Sequence, residues 1–202
     1  NSGEFIMKKF RGKILVIGDI MLDHYIYGKV NRISPEAPVP VVSVDNESDM
    51  LGGCGNVINN LNNLGISVGL ITVVGDDENG DKVLDKLFSL NIKTDSVFKS
   101  KDISTNYKMR IVANSQHVVR ADWDSDKLDK ATYKKMISSY NYLIRDYDGV
   151  LISDYSKGVC ADSFLKEIIK EANKKNIPIF VDPKGGDWGK YSGATFITPN
   201  SK

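Results

Sequence analysis

The strongest constraint on the fold is a rhythm in the second half of the chain. From Asp129 onward, helical periodicity over Lys130–Arg145 gives way to an apolar strand at Gly149–Ser153. A helix over Ser163–Lys175 follows, then a strand at Pro178–Asp182, a short turn and a strand at Thr195–Thr198. Each helix carries the chain back to the end from which the next strand starts, so the strands run parallel, and such a sheet needs cover on both faces. The first half fits the same plan. Lys13–Gly18 and Val68–Val74 read as strands, and Asp81–Leu90 is an amphipathic helix with Val83, Leu84, Leu87 and Leu90 on one stripe. The expectation is an α/β fold with a mostly parallel sheet between helical layers.

Two stretches stand outside this rhythm. Tyr25–Tyr27 and Val39–Val44 read as strands flanking Ile33-Ser-Pro-Glu-Ala-Pro-Val-Pro40, whose prolines confine them to a sheet edge or a lid. Tyr107, Met109 and Ile111 alternate with polar residues, and Asn114-Ser115 can turn the chain into Val118–Ala121 as a hairpin. On that alternation Lys108 and Arg110 share one face. Together the two stretches predict a small β lid.

Composition narrows the function. The 202 residues, 41% apolar and 26% charged, suffice for one substantial core. A net charge of +1 gives no general attraction to nucleic acid or to a membrane surface, and no apolar run reaches transmembrane length. Cys54 and Cys160 are too few for a disulfide framework, which favours a reducing cytoplasm. His24 and His117 have no partners at ligand spacing, so no metal site is assigned. Residues 1–6 resemble a cloning remnant and are set aside.

Ligands of open α/β sheets bind beyond the carboxyl ends of the strands. Those ends carry Asp19, Asp23, the Gly52–Asn56 turn, Asp154, Asp182 and Asn200. Each acid alone also suits a helix cap or a turn. Gly52, Gly53 and Gly55 lack Cβ atoms, so a ligand can approach the main chain. Val57, Leu61 and Leu64 then recur at helical spacing up to Gly65, so the turn presents unpaired N–H groups, and Asn56 adds an amide. Carboxylates and amides at such a site hydrogen-bond sugar hydroxyls. Lys157 and Lys184 follow strands, where they could meet a phosphate; Lys108, Arg110 and Arg120 could face a ligand from the lid. Cys54 reads as a packing residue and Asp76-Asp77 as a turn.

The motif Gly52-Gly-Cys-Gly-Asn56 before a helix ending at Gly65, followed by Gly75-Asp-Asp-x-x-Gly80, resembles the N-terminal signature of the ribokinase (PfkB-type) carbohydrate kinases. Four further stretches are similar to the branch of that family acting on D-glycero-β-D-manno-heptose 7-phosphate. They are Gly18-Asp-Ile-Met-Leu-Asp23, Arg32-Ile-Ser-Pro-Glu-Ala-Pro-Val-Pro40, Ser153-Asp-Tyr-Ser-Lys-Gly158 and Asp182-Pro-Lys-Gly185. The resemblance implies a ribokinase-like three-layer sandwich over residues 7–202, with lid segments at about 25–44 and 103–121. It implies ATP- and Mg2+-dependent phosphorylation of the anomeric hydroxyl, in lipopolysaccharide core synthesis, by a homodimer joined through the lid. It places Asp23, Gly52, Gly53 and Asn56 on the sugar; Lys108, Arg120, Asp154 and Lys157 complete the expected substrate set. Lys184 and Asn200 are expected at the nucleotide, Asn200 as the start of an Asn-x-x-Glu motif.

The family's Gly-Ala-Gly-Asp motif, which carries the general base, does not occur here. The expectation is therefore an N-terminal fragment of a kinase, with its catalytic aspartate beyond residue 202 and no catalytic residue of its own. A nicotinamide-dependent Rossmann enzyme is the rival pattern, but its fingerprint needs a small residue where Ile58 stands. Another sugar or nucleoside kinase of the family, or a non-catalytic sugar-binding or dimerisation module, are the remaining alternatives.

Overall fold

The computed structural model describes residues 11–125 and 127–199. In chain order its elements are β1 (Lys13–Gly18), β2 (Ile20–Ile33), β3 (Pro40–Gly53), α1 (Cys54–Asn63), β4 (Ser67–Gly75), α2 (Glu78–Ser89) and β5 (Val97–Ser100). There follow β6 (Tyr107–Ala113), β7 (Gln116–Trp123), α3 (Lys130–Leu143), β8 (Gly149–Ser153), α4 (Asp162–Lys174), β9 (Ile179–Asp182) and β10 (Phe196–Ile197). Six strands form a parallel sheet in the order β10-β9-β8-β1-β4-β5.

Alternation along each strand sorts the core into two layers. Leu15, Ile17, Ile71, Val150 and Ile152 pack with Met136 and Tyr140 of α3 and with Phe164, Leu165 and Ile168 of α4. Val16, Leu70 and Val74 face the other way, onto Ile58 of α1 and Val83 and Leu87 of α2. The three-layer α/β arrangement expected from the sequence is the one observed.

The lid is a second sheet, ordered β3-β2-β6-β7. Its outer pairs are antiparallel, while β2 and β6 run parallel, with Leu22 opposite Tyr107 and Gly28 opposite Ala113. The lid strands are much longer than their apolar patterning suggests. β2 starts one residue after β1, and β3 runs through Asp45–Met50 to the glycine pair. The polar run Asp45-Asn-Glu-Ser-Asp49 shows no strand alternation, yet the ladder to β2 holds it extended, with register shifts at Tyr27/Gly28 and Val30/Arg32. The proline stretch shrinks to a short connection, and Pro40 opens the edge strand β3, a position where no inner ladder bond is lost. Gly52 and Gly53 thus end a strand, and α1 begins directly at Cys54. The four-residue edge strand β5 escapes sequence reading because it is short and carries two polar residues.

Candidate functional site

The site is built where the lid leaves the sheet. Asp19 is the single residue between β1 and β2, and it is fully buried. Its carboxylate accepts the backbone N–H groups of Tyr155 (2.8 Å), Lys157 (3.1 Å) and Val159 (2.9 Å), caging the loop after β8. Burial pushes its pKa up; the three N–H donors oppose that shift without cancelling it. Its carbonyl accepts the N–H of Cys54 at 2.9 Å. Gly53 lies against that carbonyl with φ of 60°, and a Cβ there would stand 2.2 Å from the Asp19 oxygen. Only glycine meets both conditions.

One residue earlier, a Cβ on Gly52 would stand 2.3 Å from Asp23 Oδ2. The Asp23 carboxylate therefore lies directly over the glycine turn. Its Oδ1 accepts Arg110 Nη1 at 2.7 Å, and the Arg110 guanidinium sits 5.1 Å from the centre of the Tyr25 ring. Burial works against the charge on Arg110, but the bond to Asp23 outweighs it and raises the pKa. Lys108 (3.8 Å) and Arg120 (3.0 Å) both approach Asp122. Asp23, Gly52 and Arg110 thus form a compact polar surface across β3, β2 and β6, with Lys108 and Arg120 on the β6–β7 hairpin.

Other expected site residues are placed differently. Asp154 is buried: its Oδ2 accepts Lys190 Nζ (2.5 Å) and the Tyr191 hydroxyl (2.7 Å), and its Oδ1 accepts the N–H of Ser156. It holds the segment Gly189–Tyr191 against the loop after β8, and both of its oxygens accept hydrogen bonds within the protein. Lys157 ends 2.5 Å from Asp124 Oδ2, so its charge is matched within the protein. Asn56 is exposed and lines a cavity of about 360 Å³ with Asp49, Asn59, Lys86 and Ser89, a lining that includes neither Asp23 nor Gly52. Lys184 is exposed after β9, beside Asp182. Asn200 lies outside the described residues. Asp19, Asp154 and Cys160 bring their ligand atoms within 4.8 Å of one another, but the two carboxylates are already bonded to N–H groups, Lys190 and Tyr191.

Arg110 is the residue that the expected substrate set lacks. Its alternation with Lys108 puts it on the lid face, yet nothing local signals a partner 87 positions away.

A family model described as pfkB family carbohydrate kinase matches residues 11–202. The chain belongs to the pfkB carbohydrate kinase family. That membership removes the nicotinamide-dependent alternative. Among its relatives, the bifunctional protein HldE of Campylobacter fetus is 46% identical over 189 residues, covering 94% of this chain and 41% of that protein. The bifunctional protein HldE of Sulfurimonas denitrificans is 43% identical over 198 residues, covering 98% of this chain and 42% of that protein. The chain thus spans about two fifths of the length of these relatives. Solved pfkB-like folds match over most of the chain at low identity. The tetrameric inhibited form of phosphofructokinase-2 from Escherichia coli has a TM-score of 0.71 at 16% identity, covering 93% of this chain and 60% of that one. Ribokinase of Arabidopsis thaliana, complexed with ribose and ATP, has a TM-score of 0.64 at 14% identity, with coverages of 94% and 60%.

Proposed function

We propose that this chain supplies the sugar-binding side of a kinase that phosphorylates the anomeric hydroxyl of D-glycero-β-D-manno-heptose 7-phosphate with ATP. The observation that carries the reading is the Asp23 carboxylate seated over Gly52 and oriented by Arg110 at 2.7 Å. Asp23 Oδ2 accepts from no described residue, so it can take a hydrogen bond from a sugar hydroxyl. The space that a Cβ would fill at Gly52 is taken by this carboxylate and not by the ligand, which corrects the expectation that the glycines let a ligand approach the main chain. The cations Arg110, Lys108 and Arg120 on the same hairpin suit a sugar that carries a phosphate. The match to HldE over nearly all of the chain favours a heptose phosphate over other sugars.

ATP with Mg2+ is the phosphoryl source that the family implies. Among the described residues the fit is partial. Lys184, exposed after β9, suits a nucleotide phosphate, whereas the cluster of Asp19, Asp154 and Cys160 does not fit Mg2+ because its carboxylates are bonded within the protein. The roles derived for this chain are therefore binding and orientation of the sugar. Val44, Val119 and Trp123, exposed apolar side chains on the lid face opposite Asp23, support a homodimer through that sheet. No helix of the described residues is long and apolar enough to cross a membrane, and a cytoplasmic site of action accords with the proposed substrate.

Calorimetric titration with heptose 7-phosphate, unphosphorylated heptose, ribose and Mg-ATP tests the reading. The expected result is binding of the heptose phosphate, weakened without its phosphate and lost in Asp23→Ala. Equal binding of ribose, or heptose phosphate binding untouched by Asp23→Ala, overturns it.

A further inference from the structure

The loop after β8 joins three parts of the molecule, and Lys157 stands at the joint. Its backbone N–H is held by Asp19 (3.1 Å), and its carbonyl accepts the Ser125 hydroxyl at 3.0 Å. Its ammonium group lies 2.5 Å from Asp124, the residue that directly follows lid strand β7. Ser125 in turn donates its N–H to the Asn106 side chain at 2.9 Å, just before lid strand β6. The Asn106 carbonyl accepts the N–H of Leu22, one residue from Asp23. A continuous set of bonds therefore runs from the Asp19 cage through Lys157 to the ends of both strands that carry Arg110 and its ladder partner Arg120.

We propose that Lys157 is a positioning residue: its ion pair with Asp124 fastens the lid hairpin to the Asp19 cage and so sets Arg110 against Asp23. A lysine that took a substrate phosphate directly would have to leave Asp124. Here the Lys157 side chain is only 19% exposed and already matched in charge. Tyr133 reinforces the joint by donating its hydroxyl to the carbonyl of Gly158. The inference rests on the sugar-site reading above for its binding consequence, but the fastening itself needs no ligand.

Two measurements on the full chain test it. In the first, the affinities of Asp124→Asn, Lys157→Met and the double variant are measured for heptose 7-phosphate and for unphosphorylated heptose. Contact-pair coupling of about 1 kcal/mol corresponds to a loss of about fivefold. Each single variant is expected to lose about that factor for both sugars, the double variant no more than either single one, and Lys157→Arg to recover most of the loss. If Lys157→Met weakens only the phosphorylated sugar while Asp124→Asn leaves it unchanged, Lys157 is a direct phosphate ligand and the proposal falls.

The second measurement uses no sugar. Trp123 ends β7 and packs on Tyr107 at 5.1 Å, and Trp188 is the only other tryptophan in the sequence. In a Trp188→Phe background the Trp123 emission is expected to shift on Asp124→Asn and on Lys157→Met alike, and to return with Lys157→Arg. An unchanged spectrum in both variants overturns the fastening. If the wild-type chain binds neither sugar, the functional reading fails while the Trp123 spectrum still decides the inference.

Discussion

Asp77 and Thr105 are joined by two hydrogen bonds: Asp77 Oδ2 accepts the Thr105 N–H at 2.8 Å, and Oδ1 accepts its hydroxyl at 2.7 Å. The same Oδ1 accepts the N–H of Gly80 at 2.7 Å, and the Thr105 hydroxyl accepts that of Gly75 at 2.9 Å. Asp77 is therefore the N-cap of α2 and also the anchor of the segment that leads into β6. The sequence reading of Asp76-Asp77 as a turn captures only the first half of this.

Replacing Asp77 with Ala removes the cap, worth about 1 kcal/mol, and leaves the buried Thr105 without its acceptor, worth about 1–2 kcal/mol more. Urea unfolding followed by circular dichroism is expected to show an unfolding free energy lowered by that total, seen as an earlier midpoint with an unchanged slope. A midpoint shift within error of zero would show that the anchor is dispensable.

The same contacts give a pH dependence. Burial raises the Asp77 pKa, but the Thr105 N–H, the Thr105 hydroxyl and the Gly80 N–H outweigh it, with help from Lys99, and hold it below the ordinary value. A depressed folded-state pKa contributes stability above the unfolded value of about 4, lost as pH falls through the folded value. Amide exchange of Thr105 and Gly80 is expected to accelerate, beyond the intrinsic trend, as pH drops below about 4. Asp77→Asn should flatten that response.

The two adjacent glycines should fail in different ways. Gly53→Ala forces a left-handed conformation costing about 1–2 kcal/mol and drives a methyl into the backbone carbonyl of Asp19, which cannot retreat. Thermal unfolding should show a large loss of stability. Gly52→Ala meets the movable end of Asp23 and the Met21 side chain at 2.8 Å. It should keep most of the stability while displacing the carboxylate, read as lost sugar binding against a melting curve that moves far less than that of Gly53→Ala.

Both thiols are buried, and burial, with Asp19 nearby, pushes their pKa values well above the usual range. A thiol-specific reagent at neutral pH is expected to label neither Cys54 nor Cys160 in the native chain, and both in urea. Fast labelling of native Cys54 would contradict its packing beneath the glycine turn.

The parallel sheet was legible because its strands are short, apolar and spaced by amphipathic helices, so local periodicity and global layering agree. The lid hairpin was legible in place but not in extent. Residues Asp45–Asp49 sit on an edge strand with an open face, where no alternation is required and the ladder alone holds them extended. The sugar role expected of Asp23 came from the family resemblance, whereas the glycine turn before a helix could be read from spacing. That Asp19 would hold a loop at Tyr155–Val159, or that Asp154 would meet Lys190 and Tyr191, could not, because each depends on strands brought together from distant parts of the chain. A post-strand aspartate looks the same in sequence whether it faces outward or inward.

The parallel pairing of β2 with β6 also has a consequence for how the chain is made. Asp23 and Arg110 are 87 positions apart, and at about 5–20 residues per second a ribosome takes several seconds to cover that distance. During that interval the β2–β3 ribbon exists without its inner neighbour, with the β2 edge open along its length. Such an edge is a template for pairing with other chains. The Gly28 bulge and the charged residues Lys29, Arg32 and Asp45 along the ribbon are the features that discourage such pairing until β6 is synthesised and closes the lid.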